Sequence, residues 1–443
     1  MNNSLDFLTV KDAIPEKIEN DTIFNIKTRS VTQYTHGFHK YPAKFIPQIP
    51  NWAIQKYLSD EKGKWILDPF CGSGTTLVEG LLAGNNVIGL DIDPLSILIT
   101  KVKTTPIDYV LFNAINEWMA VCLKGNQAIA KFKPDCLSIS HWFTEDAVAD
   151  LSRIRSLIDL IPHEFGDTKA SRDIYDLLMV CFSSIIRRVS NADNESQKTY
   201  VSHTNVKAPE DTISLFLNQM SYFGKRILEF STRINSNLSA QITCASSIEN
   251  LSFQLKGRQV DLAITSPPYI KAIDYIYNQM AELFWIGDLF DMQTQTKQNK
   301  RKQLYVGTKH LPVNTYANYN PRCQKLDIRT LDEKIESVFI FDKKNGHKHS
   351  FIVYKYFTDM ENHFIEMNHC LKSHAHYIMV VGDCSVSGVV FETPNYLSEI
   401  AQRNGFLLTG KWGYQIKNRF MRFDRKGRGG KIEIDWVLDL TKI

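Results

Sequence analysis

The stretch VDLAITSPPY, residues 260–269, ends an apolar run on two consecutive prolines held between a serine and a tyrosine. Proline has no N–H and a fixed φ, so Pro267 and Pro268 forbid further central strand and stiffen the turn that follows. The turn then exposes three groups: the Ser266 hydroxyl, the Pro267 carbonyl freed from sheet pairing, and the flat ring of Tyr269. Such a set suits an exocyclic amino group on a nucleobase, whose nitrogen is a weak nucleophile because its lone pair is delocalised into the ring. Two fixed acceptors on its hydrogens would draw that nitrogen toward tetrahedral geometry, and Tyr269 would stack on the base. Acceptors oriented in advance lower a barrier by electrostatic preorganisation. A base inside a duplex would have to be flipped out to reach such a turn. Without that chemistry, the same five residues are a rigid strand-ending turn.

A second stretch, KGKWILDPFCGSGTTLVEGLLAGNNVIGLDIDP at 62–94, has the pattern strand, glycine turn, helix, strand. Gly72 and Gly74 let the backbone pass close to a ligand, and the helix they open offers free N–H groups to an anion. Asp91 ends the next strand about 20 residues on, where a carboxylate commonly accepts hydrogen bonds from ribose hydroxyls. Together these describe an adenosine-type cofactor site, and three cofactors compete for it. Thr75 and Thr76 stand where an ATP-binding loop needs lysine. Leu77 stands where a dinucleotide fingerprint needs its third glycine, which weakens a nicotinamide reading. S-adenosylmethionine needs no pyrophosphate cradle, only room for its amino-acid end, and Asp68 could pair with the ammonium. A tight turn with no ligand is the fourth reading.

Both stretches need a sheet to hold them. The βαβ unit at 62–94 implies parallel strands with a right-handed crossover, and Gly84 suits the position just past the helix end. IPQIPNWAIQKYLSD, 46–60, reads as an amphipathic helix. Residues 106–240 show helical apolar periodicity, as in RDIYDLLMVCFSSIIRRVS, with strand signals nearly absent. Strand character returns at SAQITCASS and QVDLAIT, followed by the helical DYIYNQMAELFWIGDLF. A polar, basic stretch with little periodicity, 291–350, precedes a tail of α/β rhythm that closes on FLLTGKWGYQI and KIEIDWVLDL. One α/β domain is therefore expected from three pieces, 30–105, 241–290 and 351–443. A helical insertion at 106–240 and a basic insertion at 291–350 interrupt it. Ligands of such sheets bind at the carboxyl ends of the strands, where DPFCGSGT and TSPPY both fall.

Composition narrows the class. The chain has 443 residues, 43% hydrophobic and 23% charged, as in an ordinary globular protein of one large domain or two. The polar N-terminus is not a signal peptide, and no apolar run approaches the roughly 20 residues that span a bilayer. Eight scattered cysteines without CxxC or Cys/His spacing read as reduced thiols of a cytoplasmic protein with no metal site and no membrane partner. A net charge of +4 does not by itself imply nucleic acid. Two basic runs interleaved with aromatics are more telling, NKRKQLYVGTKH at 299–310 and RFMRFDRKGRGGK at 419–431, although each also suits a solvated face.

DPFCGSGT together with TSPPY resembles the S-adenosylmethionine-dependent DNA amino-methyltransferases. FHKYPAKFIP at 38–47 resembles the segment that in this family packs over the methionine end of the cofactor, and GLDIDP resembles the segment carrying the ribose acid. The resemblance covers the three α/β pieces, over half of the chain. It implies a Rossmann-like methyltransferase fold, a mostly parallel seven-stranded sheet with its last strand pair antiparallel. It implies S-adenosylmethionine held by Phe45, Asp68, Pro69, Phe70, Gly72, Gly74, Thr75, Asp91 and Ile92, and catalysis by Ser266, Pro267, Pro268 and Tyr269. It also implies double-stranded DNA as substrate, and a restriction-modification context in which a cognate endonuclease acts separately. In many members an inserted block reads the DNA, which makes 106–240 the first candidate for recognition and 291–350 the second. HWFTEDAVADL, 141–151, within the first block reads as packing.

The family often has an acid after its third strand, near the adenine. Here the segment is TCASSIEN, with Cys244 and Ser246 at that place and Glu249 beyond it. SPPY resembles the cytosine-N4 group more than the adenine-N6 group, which favours DPPY or NPPY. Cytosine-C5 chemistry needs a cysteine nucleophile, usually in a Pro-Cys pair, and the chain has no such pair. The expected activity is methyl transfer to the N4 amine of a flipped cytosine. Adenine-N6 methylation is the alternative, and an RNA methyltransferase of related fold the next. A nucleic-acid-binding protein with a vestigial cofactor fold would have no need of intact Gly72, Gly74, Asp91, Ser266 and Tyr269.

Overall fold

The computed structural model describes residues 7–27, 31–42, 44–59, 61–125, 132–134, 136, 138–194, 199–202, 207, 208, 210–271, 274–416 and 433–443. Its strands are β1 (Leu8–Lys11), β2 (Ile23–Lys27), β3 (Trp65–Asp68), β4 (Asn86–Asp91), β5 (Ala240–Cys244), β6 (Val260–Thr265), β7 (Leu371–Gly382), β8 (Cys384–Val386), β9 (Val389–Phe391), β10 (Phe406–Gln415) and β11 (Ile434–Lys442). Nine of them form one sheet in the order β1-β2-β10-β11-β7-β6-β3-β4-β5. β11 is antiparallel to both β7 and β10, and every other pairing in the sheet is parallel. The seven expected strands and their antiparallel closing pair are thus present. β1 and β2 extend the sheet beyond β10, so the α/β unit begins before residue 30. β8 and β9 form a separate antiparallel hairpin.

Strands buried on both faces read as continuous apolar runs. Leu262 and Ile264 of β6 point into one core and Val260 and Ala263 into the other, and Ile378 and Tyr377 of β7 divide in the same way. The first core includes the amphipathic helix Gln48–Leu58 and the helices Thr75–Leu82 and Pro94–Thr104. It also takes in the inserted helices Tyr109–Lys124, Glu145–Glu164, Lys169–Val189 and Thr212–Ser231. The insertion therefore shares a core with the sheet. Buried Arg155 fastens it to the segment after SPPY, bonding the Trp285 carbonyl and both oxygens of Asp288. In HWFTEDAVADL, Phe143 is buried edge-on to Trp285 and Thr144 caps the following helix, as packing required.

The second core is covered by the helices Arg329–Phe341, Gly346–Cys370 and Thr393–Arg403. The stretch 291–350 is thus more ordered than its composition suggested. Leu331, Ile335 and Val338 recur at helical spacing and are buried against the long helix Gly346–Cys370. Two other expectations hold. Gly84 has φ +82° just past the helix Thr75–Leu82, and its N–H reaches the Leu81 carbonyl at 3.0 Å. The eight cysteines are not linked by disulfides. Among the described residues no group of His, Cys, Asp or Glu could hold a metal ion, and no helix is long and apolar enough to cross a membrane. The basic run at 419–431 lies outside the described residues.

Candidate active site

From β3 the chain steps to β4 and β5 on one side, while β6 and β7 lie on the other. β3 and β6 are neighbours at this reversal, so the turn after Asp68 and the turn after Thr265 emerge side by side. Such a switch point is where open α/β sheets leave a crevice for ligand. The two turns are bonded to each other. The Thr265 hydroxyl donates to Asp68 Oδ1 at 2.6 Å, the Phe70 N–H donates to the same oxygen at 3.2 Å, and the Thr76 hydroxyl donates to the Ile264 carbonyl at 3.3 Å. Asp68 is 1% exposed, and burial pushes its carboxyl up to about 6. It stands behind the cleft wall as the joint between the motifs rather than in the wall where an ammonium would meet it.

The glycine turn closes on the end of β4. The Gly72 N–H donates to Asp91 Oδ2 at 2.9 Å and the Asp93 N–H to Asp91 Oδ1 at 2.8 Å. Gly72 and Gly74 have φ of +47° and +76°, a region that costs other residues about 1–2 kcal/mol. Beneath the turn the Thr100 hydroxyl donates to the Gly72 carbonyl at 2.8 Å, and buried Lys103 donates to the Ser73 carbonyl. A Cβ on Gly74 would lie 2.9 Å from Thr100 Cγ2. Gly74→Ala should therefore lower stability by about 2–3 kcal/mol, the left-handed penalty plus the displaced Thr100 bond. Urea unfolding checks this, and an unchanged midpoint would mean the turn tolerates a side chain.

Over these turns opens a cleft of about 750 Å³, counted out to its mouth. Of the residues expected at the cofactor, Phe45, Pro69, Phe70, Gly72, Thr75, Asp91 and Ile92 line it. Ser266 and Pro268 line it from the other turn. Gly74, Pro267 and Tyr269 do not. Gly74 turns the chain behind the wall, and Pro267 is buried. The Tyr269 hydroxyl donates to Asp435 Oδ1 at 2.6 Å, and Tyr414 donates to Oδ2 of the same carboxylate at 3.2 Å. Burial raises the Asp435 carboxyl, against the pull of those two hydroxyls. The ring of Tyr269 is thus tied to the β10–β11 pair across the sheet.

Several wall residues had no expected role: Tyr41, Lys44, Ser73, Tyr275 and Leu304 to Val306. Tyr275 stacks on Tyr41 at 5.7 Å and on Tyr305 at 5.8 Å, a ladder joining three distant segments. Tyr41 and Lys44 belong to FHKYPAKFIP, so a closer reading of that stretch could have found them. Tyr305 lies in the basic run at 299–310, where the charges masked it. After β5, Ser246 and Ser247 line the cleft, whereas Glu249 is exposed and does not. His363 holds this segment by donating from Nδ1 to the Ser247 carbonyl, 2.8 Å away, and burial lowers the imidazole to about 4.

The charged side chains lining the cleft are Asp91 and Lys44. Burial, then the neighbouring Asp93 anion, pushes Asp91 up to about 7. Burial lowers Lys44, which donates to the His36 carbonyl at 3.1 Å. The hydroxyls of Ser73, Ser247 and Tyr305 are all buried in this one wall with no hydrogen-bond partner in the protein. Buried polar atoms are nearly always paired, so three orphans along one cleft fit a ligand bearing several polar groups. Carboxylate, cation, hydroxyls and aromatic faces together form a donor set that S-adenosylmethionine satisfies.

Residues 9–101 match a protein family described as DNA methylase. The type II methyltransferase M.MvaI of Kocuria varians is 28% identical over 419 residues, covering 88% of this chain and 86% of that one. The type II methyltransferase M.BsoBI of Geobacillus stearothermophilus is 26% identical over 300 residues, 61% of this chain and 57% of its own. The type II methyltransferase M.MjaII of Methanocaldococcus jannaschii is 40% identical over 93 residues, 21% of this chain and 17% of its own. Residues 9–101 are thus similar to the N6/N4 DNA methylase family, and most of the chain is similar to a type II methyltransferase.

Proposed function

We propose that this protein is a type II DNA methyltransferase that moves a methyl group from S-adenosylmethionine to the exocyclic N4 amine of a cytosine flipped from duplex DNA. The observation that carries the reading is the meeting of Ser266 and Pro268 with Asp91 and Gly72 in the wall of one cleft. When bound, the cofactor supplies an electrophilic methyl on a sulfonium. Asp91 would accept from its ribose, Phe45 and Phe70 would pack on it, and Lys44 and Ser73 would meet its polar ends. The carboxylates at this end of the sheet complement a positive charge.

The work of the chain's own residues lies at the other turn. Ser266 and the Pro267 carbonyl accept the two hydrogens of the target amine and localise its lone pair. Tyr269 stacks on the extruded base, its ring direction held by Asp435. Stacking of this kind is worth about 1–3 kcal/mol per base. The proton leaves after the methyl has arrived, so no strong base is required beside the amine. Serine in the SPPY turn favours cytosine, and the inserted helices at 106–240 and the stretch 291–350 are the regions proposed to meet DNA. The type II relatives support a restriction-modification setting with a separate endonuclease.

The test is transfer of labelled methyl from S-adenosylmethionine to duplex DNA of mixed sequence, with digestion and mass analysis of the nucleosides. N4-methylcytosine is expected. N6-methyladenine would keep the site and change the base. Label entering RNA but not duplex DNA would overturn the substrate.

A further inference from the structure

Tyr305 stands apart from the other orphaned hydroxyls. Ser73 and Ser247 sit in the turns after β3 and β5, but Tyr305 comes from the segment between the helix Gln295–Lys302 and Val313–Tyr316, within the basic run 299–310 and outside the cofactor motifs. That segment is fixed over the site. Gly307, φ +72°, packs so closely that a Cβ would lie 2.6 Å from the Tyr269 carbonyl. His310 bonds Asp274, which caps the helix following SPPY, at 2.6 Å. Tyr305 also partitions two cavities, since it and Tyr275 line both the main cleft and a second one of about 270 Å³ beside Lys302 and His310.

We infer that Tyr305 is a cofactor-binding residue whose hydroxyl donates a hydrogen bond to the nucleoside part of S-adenosylmethionine, on the side that Asp91 holds. This rests on the cofactor reading above. Its stack on Tyr275, and through it on Tyr41, sets the ring in the wall that also carries Asp91. Burial and the nearby Asp93 and Asp91 carboxylates keep the hydroxyl protonated, so it enters as a donor. An orphan donor that gains a partner on binding contributes to affinity without having contributed to folding. The segment between the helices Gln295–Lys302 and Val313–Tyr316 thereby becomes part of the cofactor site.

Calorimetric titration of the full chain with S-adenosylhomocysteine and, separately, with 5′-methylthioadenosine tests this. Tyr305→Phe keeps the stack and removes only the hydroxyl, so both ligands should bind about 3- to 10-fold more weakly, with the unfolding midpoint of the free protein unchanged. Equal affinity for wild type and variant overturns the inference and leaves the cofactor reading intact. A loss confined to S-adenosylhomocysteine overturns the assignment to the nucleoside. A variant that binds weakly and also melts early makes the hydroxyl a structural group, which overturns it as well. Failure of the wild-type chain to bind either ligand overturns the cofactor reading and the inference together.

Discussion

Asp91→Ala should weaken binding of S-adenosylhomocysteine about 100-fold, because a charged acceptor contributes about 1.5–3 kcal/mol per hydrogen bond and a ribose brings two donors. The carboxylate also accepts from the N–H groups of Gly72 and Asp93, so the variant loosens the glycine turn as well. The pH dependence separates the two effects. Burial and Asp93 raise Asp91 from 3.8 to about 7, so the free protein holds a proton there that the unfolded chain releases. The stability contributed by that proton is present at low pH and is lost as pH rises through 7. Ligand binding runs the other way. Ribose hydroxyls prefer the anion, so binding expels the proton and affinity should climb from pH 6 to a plateau above 7, by at most about tenfold per pH unit. Asp91→Asn should flatten that climb. Titrations at pH 6, 7 and 8 check it, and a wild-type affinity that does not change with pH would remove Asp91 from the binding face.

What was legible in the sequence follows from where each signal is local. The βαβ unit could be read because Ile66, Val87 and Leu90 are apolar on a sheet covered on both faces, and because Gly72, Gly74 and Gly84 occupy positive φ that few other residues tolerate. SPPY could be read because proline ends a strand for a reason internal to proline. The strands Leu8–Lys11 and Ile23–Lys27 could not. They are short, and β2 is held by a two-residue register with Gly413 and Tyr414 and by the ring of Phe24 against Trp412, all formed across nearly the whole chain. Arg329–Phe341 was hidden by the charges on its outer face, although Leu331, Ile335 and Val338 carry a helical stripe. Asp68 shows the limit within the site itself. Its place after β3 pointed to a ligand contact, and only the bond from Thr265, far along the chain, reveals that it joins the two turns.

Tyr269→Ala should lower kcat/KM for duplex DNA about 100-fold while leaving S-adenosylhomocysteine affinity within about twofold. The stacking face is worth about 1–3 kcal/mol, and Tyr269 lies outside the cofactor cleft. Tyr269→Phe is the sharper experiment. It keeps the face and cuts only the bond to Asp435, leaving that half of a buried carboxylate without its 2.6 Å donor. A partner lost to a buried charged group costs more than the bond itself contributed, and here the cost falls on Asp435 and the β10–β11 pair, where Tyr414 still donates. The Phe variant should therefore melt earlier than wild type, keep most of its base affinity, and lose kcat through a ring no longer fixed in direction. Tyr414→Phe should reproduce the loss of stability with a smaller effect on kcat, since its ring is no part of the SPPY turn. The decisive measurement is single-turnover methyl transfer at saturating DNA for the three variants. If Tyr414→Phe slowed that step as much as Tyr269→Phe, the carboxylate would matter to the fold of the strand pair and not to the aim of the stacking ring.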